Sequence, residues 1–196
     1  MPVGAWLAIP WVTFGRLVRR GNRVPWMVPG AVRFLNRHIT ARSVILELGS
    51  GRSTAWYAAR ASRVVSLESS DSWYAEVAEQ LHRLRLDNCD LRLVSLSDFP
   101  AVIREQSDAS IDVAVIDCQE NAKVNRITCV EAVTDKLKPG GLLVLDDADR
   151  ERYCSAPLLL PRWHRFTFIG LKSVPLVANQ TDIYVRPCSG ALNECI

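Results

Sequence analysis

Two groups of residues in this sequence have the types and spacing that do chemistry. The first is Glu47-Leu48-Gly49-Ser50-Gly51-Arg52-Ser53-Thr54, which follows the apolar run Val44-Ile45-Leu46. Two glycines one residue apart let the main chain turn tightly and approach a ligand closely. Hydroxyl residues that open a helix aim its first N–H groups at that ligand. A dinucleotide site puts a third glycine before the helix to receive a pyrophosphate. Here Ser53 stands in that place and Glu47 precedes the glycines. A carboxylate beside the turn repels a diphosphate and can receive a cationic ligand. The second group is Asp117, Asp146 and Asp147. Carboxylates at the ends of neighbouring strands can hold a hard cation such as magnesium, which lowers the pKa of a coordinated hydroxyl. Alternatively, one of them can act as a general base. A third reading has Asp146 and Asp147 cap the following helix and pair with Arg150. Arg150 and Tyr153 lie one helical turn apart and could recognise a carboxylate, phosphate or sugar hydroxyl, or lock their helix onto a sheet.

The elements that must carry these residues alternate along the chain. Helices are expected over 30–38, 53–61, 71–84, 100–106 and 126–137, with Asp71 as N-cap of the third and Pro100 at the start of the fourth. Strands are expected over 44–48, 64–68, 91–94, 111–116 and 142–145, with Pro139-Gly140-Gly141 breaking the chain before the last of these. Two closing strands, 166–169 and 182–185, follow without a helix between them, joined by a loop containing Pro175. The alternation argues for a three-layer α/β, Rossmann-like fold whose seven-stranded sheet is mostly parallel. The ending argues for a C-terminal antiparallel hairpin. Ligands bind at the carboxyl ends of the parallel strands. That edge would gather 47–54, 68–71, 95–98, 117–121, 146–150 and the loop 170–179.

Glu-x-Gly-x-Gly after a first strand resembles the nucleotide-binding turn of class I S-adenosylmethionine-dependent methyltransferases. The resemblance extends through Val64-Val65-Ser66-Leu67-Glu68 with Trp73, then Asp146-Asp147 and Arg150-Glu151-Arg152-Tyr153, from about Pro25 to Arg186. It implies S-adenosyl-L-methionine as cofactor, held by Glu47, Gly49, Ser50, Gly51, Ser53, Thr54, Glu68, Ser69, Trp73, Asp98 and Asp117. Glu47 would organise the turn by accepting main-chain N–H bonds, or sense the cofactor's ammonium through water. Glu68 would accept ribose hydroxyls. Trp73 would wall the adenosine pocket or pack in the core. Asp98 would accept the adenine amino group or cap the helix at Pro100. Asp117, Asp146 and Asp147 would be the catalytic carboxylates and the ligands of a Mg2+ ion. Their arrangement resembles the catechol-type metal-dependent O-methyltransferases, which use an Asp at the fourth strand and an Asp-Asn pair at the fifth. This chain departs from them where Asp147 replaces Asn and where Cys118-Gln119 follow Asp117. Arg150 and Tyr153 would bind substrate. The reaction implied is O-methylation of a small molecule or glycan, with metal assistance as an option. Asp117-Cys118-Gln119-Glu120 is not the Asn/Asp-Pro-Pro-Tyr motif of amino-base DNA methylation.

Composition fits this frame. The 196 residues, 48% hydrophobic and 23% charged, suit a catalytic domain over 25–196 preceded by an apolar arm over 1–24. The net charge of +3 is mild and its lysines and arginines are spread out, so no nucleic-acid partner is expected. The arm carries Trp6, Trp11 and then Arg16, Arg19 and Arg20. It is too short to span a bilayer, and its charges follow rather than precede the apolar run, unlike a secretory signal. It reads as a lid over the domain or as an interfacial segment in peripheral contact with a membrane. None of the six cysteines has Cys-x-x-Cys spacing, so zinc and thioredoxin-type sites are excluded. They read as reduced thiols of a cytoplasmic protein, with Cys188 and Cys195 as the pair that could bridge. His38, His82 and His164 fall away from the ligand edge, so no histidine mechanism is expected. Two other classes stay open. One is an NAD-dependent oxidoreductase, which shares the glycine turn and Glu68 but not Glu47 or the hairpin. The other is a non-catalytic cofactor-binding or membrane-associated protein. Oligomeric state is not readable.

Overall fold

Residues 24–121, 124–173 and 176–188 are described by a computed structural model of the chain. The N-terminal arm before Val24, and Cys195, lie outside them. Among the described residues no helix is long and apolar enough to cross a membrane. The elements run α1 (Pro29–His38), β1 (Val44–Leu48), α2 (Arg52–Ala58), β2 (Arg63–Glu68), α3 (Asp71–Leu84) and β3 (Cys89–Leu93). They continue through α4 (Phe99–Arg104), β4 (Ile111–Ile116), α5 (Arg126–Val133), β5 (Leu137–Asp146), α6 (Ala156–Leu159), β6 (His164–Ser173) and β7 (Leu176–Val185), with short 3-10 turns at Leu96–Asp98 and Glu151–Tyr153.

The strands form one sheet in the order β3-β2-β1-β4-β5-β7-β6. β1 to β5 are mutually parallel, and β7 enters antiparallel between β5 and β6. Alternate side chains of each strand serve two cores, as the period of two requires. Leu46, Leu48, Leu67, Ile116 and Leu145 pack with Phe99 and Ile103 of α4 and Val130 of α5. Ile45, Val64, Val113, Val115 and Val144 pack on the other face with Leu35 of α1, Trp56 of α2 and Val77 of α3. The sequence direction reverses between β1 and β4, so the crevice that such a reversal opens lies beyond Leu48 and Ile116.

Three differences from the expected elements bear on function. First, α5 stops at Val133 and β5 starts at Leu137, so Pro139-Gly140-Gly141 lie inside the strand rather than before it. A register shift between Ile111 and Val113 absorbs them. Gly140 has φ +76°, and at Gly141 a Cβ would lie 2.8 Å from the Lys138 carbonyl. Second, the N-cap of α3 is Ser70, whose hydroxyl accepts from Trp73 N, and not Asp71. Third, β6 and β7 are each ten residues long, so the expected loop 170–179 is mostly strand ladder. β5 ends at the pair Asp146↔Thr181, yet β6 and β7 continue through Gly170↔Asn179 and Lys172↔Val177. The hairpin therefore overshoots the sheet at its ligand-binding edge. Cys188 is disulfide-bonded, against the expectation of reduced thiols, while Cys89, Cys118, Cys129 and Cys154 are free.

Candidate active site

A cleft of about 620 Å³, measured out to its mouth, opens at the switch point between β1 and β4. Its floor is the turn from Gly49 to Ser53 together with Asp117, and its sides are Glu68, Trp73, Trp26 and Gln119. The turn is fixed to both neighbouring strands. Gly49 N donates to the Leu67 carbonyl and Asp117 N to the Leu48 carbonyl, each at 2.9 Å.

The two glycines serve different ends. Gly49 has φ +92°, and a Cβ there would sit 2.6 Å from the Asp117 carbonyl oxygen. It is glycine because the fold leaves neither the conformation nor the room for anything else. Gly51 is extended, with φ 178°, which any residue adopts. A Cβ there would meet no atom within 4 Å. Nothing among the described residues requires a glycine at 51, and the open space beside it is on the cleft side, where a ligand would approach the backbone.

Glu47 is buried behind this turn. Its Oε1 accepts from the Ser53 hydroxyl at 2.5 Å, and its Oε2 from the Thr54 and Ser66 hydroxyls at 2.6 Å each. Thr54 Oγ1 in turn accepts from Gly51 N at 3.0 Å. Ser66 gives its proton to Glu47, so Ser50 must be the donor in the 2.7 Å Ser50–Ser66 contact. Burial pushes the Glu47 carboxyl up to about 7, against the lowering effect of the three hydroxyls. Glu47 thus pins the turn through hydroxyls rather than main-chain N–H groups. Oε2 accepts from two hydroxyls and Oε1 from one. Thr54 is buried, and it too acts by holding the turn.

Glu68 ends β2. Its Oε1 accepts from Ser69 N and Ser70 N at 2.8 Å each, which fixes the carboxylate at the cleft wall. Among the described residues no donor reaches Oε2. Ser69 contributes its main-chain N–H. Trp73 stands at the cleft, not in the core. Asp98 does not. It is the exposed last residue of the 3-10 turn Leu96–Asp98 and stands at the N-cap position of α4 without a side-chain bond to that helix, and its carboxylate accepts only a 3.4 Å bond from Ser97. Of the two roles expected for Asp98, its place in the fold is that of the N-cap before Phe99–Arg104.

Asp117, Asp146 and Asp147 do converge, with oxygens within 4.8 Å of one another. Successive strand residues point to opposite faces. Asp147 nevertheless joins Asp146 because it leaves β5 in the left-handed region, at φ 54°, which Asp tolerates better than most residues. Three cations balance the three acids. Arg126, opening α5, lies 2.9 Å from Asp117 Oδ1 and 3.7 Å from Asp147 Oδ2. It also donates to the Cys118 and Asp146 carbonyls at 3.0 and 2.8 Å. Lys172, delivered by the overshooting hairpin, bridges Asp146 Oδ2 and Asp147 Oδ1. Arg150 pairs with Asp147 Oδ2. Thr181 donates to Asp146 at 2.6 Å and Asn179 to Asp147 at 2.5 Å. These residues do not fit a divalent cation, because an ammonium already bridges two of the three carboxylates. Mg2+ was expected on Asp117, Asp146 and Asp147; the three carboxylates meet as expected, with Lys172 between two of them.

The surroundings separate the three acids. Burial pushes Asp146 up, opposed by Lys172 and Thr181. Burial would also raise Asp147, but Lys172, Asn179 and Arg126 together bring it below its ordinary value. Burial and the Asp146 charge push Asp117 up, opposed by Arg126 and Lys172. Its side chain is 37% open to the cleft, so water moderates that rise. Asp117 is the one acid of the three that lines the cleft.

Arg150 and Tyr153, expected to bind substrate, do not line it. Tyr153 is buried beneath the guanidinium groups of Arg126 and Arg152, at 5.7 and 5.6 Å from its ring centre. Its hydroxyl lies near Glu120 without a well-formed hydrogen bond. Both residues lock the segment after β5. The sequence reading missed Arg126, Lys172, Asn179 and Trp26. Arg126 carries one signal, a cation at a helix start, where the helix dipole disfavours it. Trp26, with Arg52 stacked 5.6 Å from its ring centre, carries none.

A model of the methyltransferase-domain family matches residues 46–148. The structure is similar to an O-methyltransferase from Bacillus cereus solved in complex with SAH, at 21% identity and TM-score 0.67, covering 89% of this chain and 90% of that one. It is also similar to a methyltransferase from Geobacter sulfurreducens, at 22% identity and TM-score 0.62, covering 95% and 96%. An rRNA methylase from Streptococcus thermophilus is similar at 16% identity and TM-score 0.61, covering 80% and 93%. At these identities the likeness is one of fold. No curated protein matches the sequence.

Proposed function

Since the chain belongs to the methyltransferase-domain family, within the class I S-adenosylmethionine-dependent superfamily, we propose that its cleft binds S-adenosylmethionine and that the protein methylates a hydroxyl of a small molecule or glycan. The observation that carries this reading is the combination at one cleft of Gly51, which no described residue requires to be glycine, and Glu68, whose carboxylate is fixed by two main-chain N–H groups with Oε2 left over among the described residues. A ribose diol is the partner that such an oxygen suits. Trp73 and Trp26 offer flat apolar walls.

Bound S-adenosylmethionine supplies an electrophilic methyl group on a positively charged sulfur. The protein's part is alignment and proton removal. Gly51 admits the ligand to the backbone, and the acidic groups Glu68 and Asp117 favour a cationic ligand over a dinucleotide's pyrophosphate. Asp117 accepts the proton of the acceptor hydroxyl as its oxygen attacks. Arg126 holds Asp117 by Oδ1. Among the described residues no donor reaches Oδ2, which remains available to the hydroxyl. Asp146 and Asp147 hold the cations that keep this corner neutral. The mild net charge supports a small or sugar-like acceptor.

Calorimetric titration with S-adenosylhomocysteine, with NADH as control, tests the cofactor. Micromolar binding of the former alone is expected, and binding of NADH in its place would overturn the reading. Asp117→Asn should lower turnover about 10²- to 10⁴-fold, the usual worth of a general base. Its affinity for S-adenosylhomocysteine should stay within about threefold. Unchanged turnover would remove Asp117 as the base.

A further inference from the structure

The space bounded by Asp117, Asp146 and Asp147 has nearly the dimensions of a divalent-cation site. Its oxygens lie within 4.8 Å of one another. Oxygens opposite each other across a magnesium ion lie about 4.2 Å apart, given bonds of about 2.1 Å. A small contraction would close the shell. What prevents this is the ammonium of Lys172, buried and donating to Asp146 Oδ2 and Asp147 Oδ1, the oxygens that would face an ion.

The surroundings are built for this ammonium. Lys172 reaches the cluster because β6 and β7 continue past the end of β5. The opposite strand supplies Asn179, whose amide N–H donates to the same Asp147 oxygen at 2.5 Å. A carboxylate only accepts, so the amide must present its nitrogen here. That leaves Asn179 Oδ1 buried with no partner among the described residues. In a metal site the amide oxygen would be the useful atom and would face inward. Thr181 occupies the other oxygen of Asp146, and Arg126 and Arg150 flank the outer oxygen of Asp147. Three carboxylates and three basic side chains leave no excess negative charge to attract a second cation.

We propose that Lys172 is an internal replacement for a divalent metal. It fills the ion's position, excludes metal from the site and leaves the protein a metal-independent enzyme. The consequence for the acceptor rests on the methyltransferase reading. A metal site selects acceptors that chelate the ion through two adjacent oxygens. With a fixed ammonium, already bound to two carboxylates, there is no ion to chelate. The acceptor class is therefore one that presents a single hydroxyl to Asp117, with no need of a vicinal diol.

The exclusion is tested on the full chain with Mn2+ followed by electron paramagnetic resonance. The wild type should leave the signal of free Mn2+ unchanged into the millimolar range. Lys172→Ala should bind one Mn2+ at least about a hundredfold more tightly, since it leaves Asp146 Oδ2 without a donor and Asp147 Oδ1 with Asn179 alone, beside Asp117 and the oxygen of Asn179. Adding Asp146→Asn to that variant should abolish the gain. Lys172→Arg, which keeps the charge, should not bind. Stoichiometric micromolar Mn2+ binding by the wild type would overturn the proposal, and this measurement does not depend on any variant folding. Absence of binding by Lys172→Ala, shown to be folded by circular dichroism and by its S-adenosylhomocysteine affinity, would overturn it equally. If the wild type excludes Mn2+ but binds no S-adenosylhomocysteine, the methyltransferase reading fails and the exclusion stands.

Discussion

Glu47→Gln should remove a pH dependence of stability that the wild type carries. The carboxyl is buried, and burial raises it from its ordinary 4.5 to about 7 despite three hydroxyl donors. Between those values the folded chain keeps a proton that the unfolded chain has released. Stability from this group is therefore fully present below pH 4.5 and is lost as pH rises through 7. At about 1.4 kcal/mol per pH unit, the loss comes to about 3 kcal/mol. Glutamine can take the same place. Its oxygen can accept from Thr54 and Ser66, and its amide nitrogen can donate to a rotated Ser53 hydroxyl, with no charge to desolvate. The assay is urea unfolding of both proteins at pH 5 and pH 8. The difference between them should change by about 2.5 kcal/mol in favour of glutamine on going from pH 5 to pH 8, since a little of the loss has occurred by pH 5, which is roughly 5–10 °C in melting temperature for a chain of this size. Titrations elsewhere, including those of the Asp146 corner, are common to both proteins and cancel. Parallel pH profiles would refute the reasoning, since they would mean that the three hydroxyls fully offset burial.

Other expectations follow from the same geometry. Gly49→Ala should destabilise the fold by about 3 kcal/mol or more, because both its φ and its 2.6 Å approach to the Asp117 carbonyl oppose a side chain. Gly51→Ala should instead melt within about 2 °C of the wild type and lose at least about tenfold in S-adenosylhomocysteine affinity, a methyl being enough to block close backbone approach. Equal melting of the two variants would refute the division of labour between the glycines. Glu68→Ala should weaken S-adenosylhomocysteine about 10- to 100-fold by calorimetry, the worth of one or two charge-assisted hydrogen bonds. Arg126→Leu should cost about 3–5 kcal/mol in urea unfolding, as it leaves Asp117 and Asp147 short of a buried partner.

What could be read from the sequence had a local signature. The runs Val44–Leu48 and Ile111–Ile116 form strands with the expected bounds because each is buried on both faces and is apolar at all but one position, Glu47 in the first and Asp112 in the second. Glu47, Gly49, Gly51 and Glu68 could be placed because the strand ends fix them. Asp117 and the Asp146-Asp147 pair were expected to meet, and they do. Their partners were not foreseen. Lys172 joins Asp146 across a gap of 26 residues, and Arg126 reaches Asp117 from the far end of a connecting loop. No spacing rule links such positions. The true length of β6 was hidden because Ile169 and Leu171 on its outer face are exposed apolar residues, so polar and apolar positions do not alternate cleanly. Pro139-Gly140-Gly141 looked like a break because a bulge uses the same residues as a turn. Asp98 closes a 3-10 turn that the pattern does not show, and it lies outside the lining of the cleft.

The position of β7 also bears on how the chain is completed during synthesis. Among the described residues the strand that comes last in the chain, β7, is not an edge but an inner member of the sheet, inserted between β5 and β6. A nascent chain that has emerged only as far as Ser173 has β5 with an open side along Leu142–Asp146 and β6 with no neighbour to hold it. Lys172 is already present in such a chain, yet it has no strand to carry it to Asp146. Chains that terminate early therefore expose an apolar strand edge, a template for aggregation. Final closure of the sheet and delivery of the ammonium to its carboxylates become a single late event, after residue 185 has cleared the ribosome.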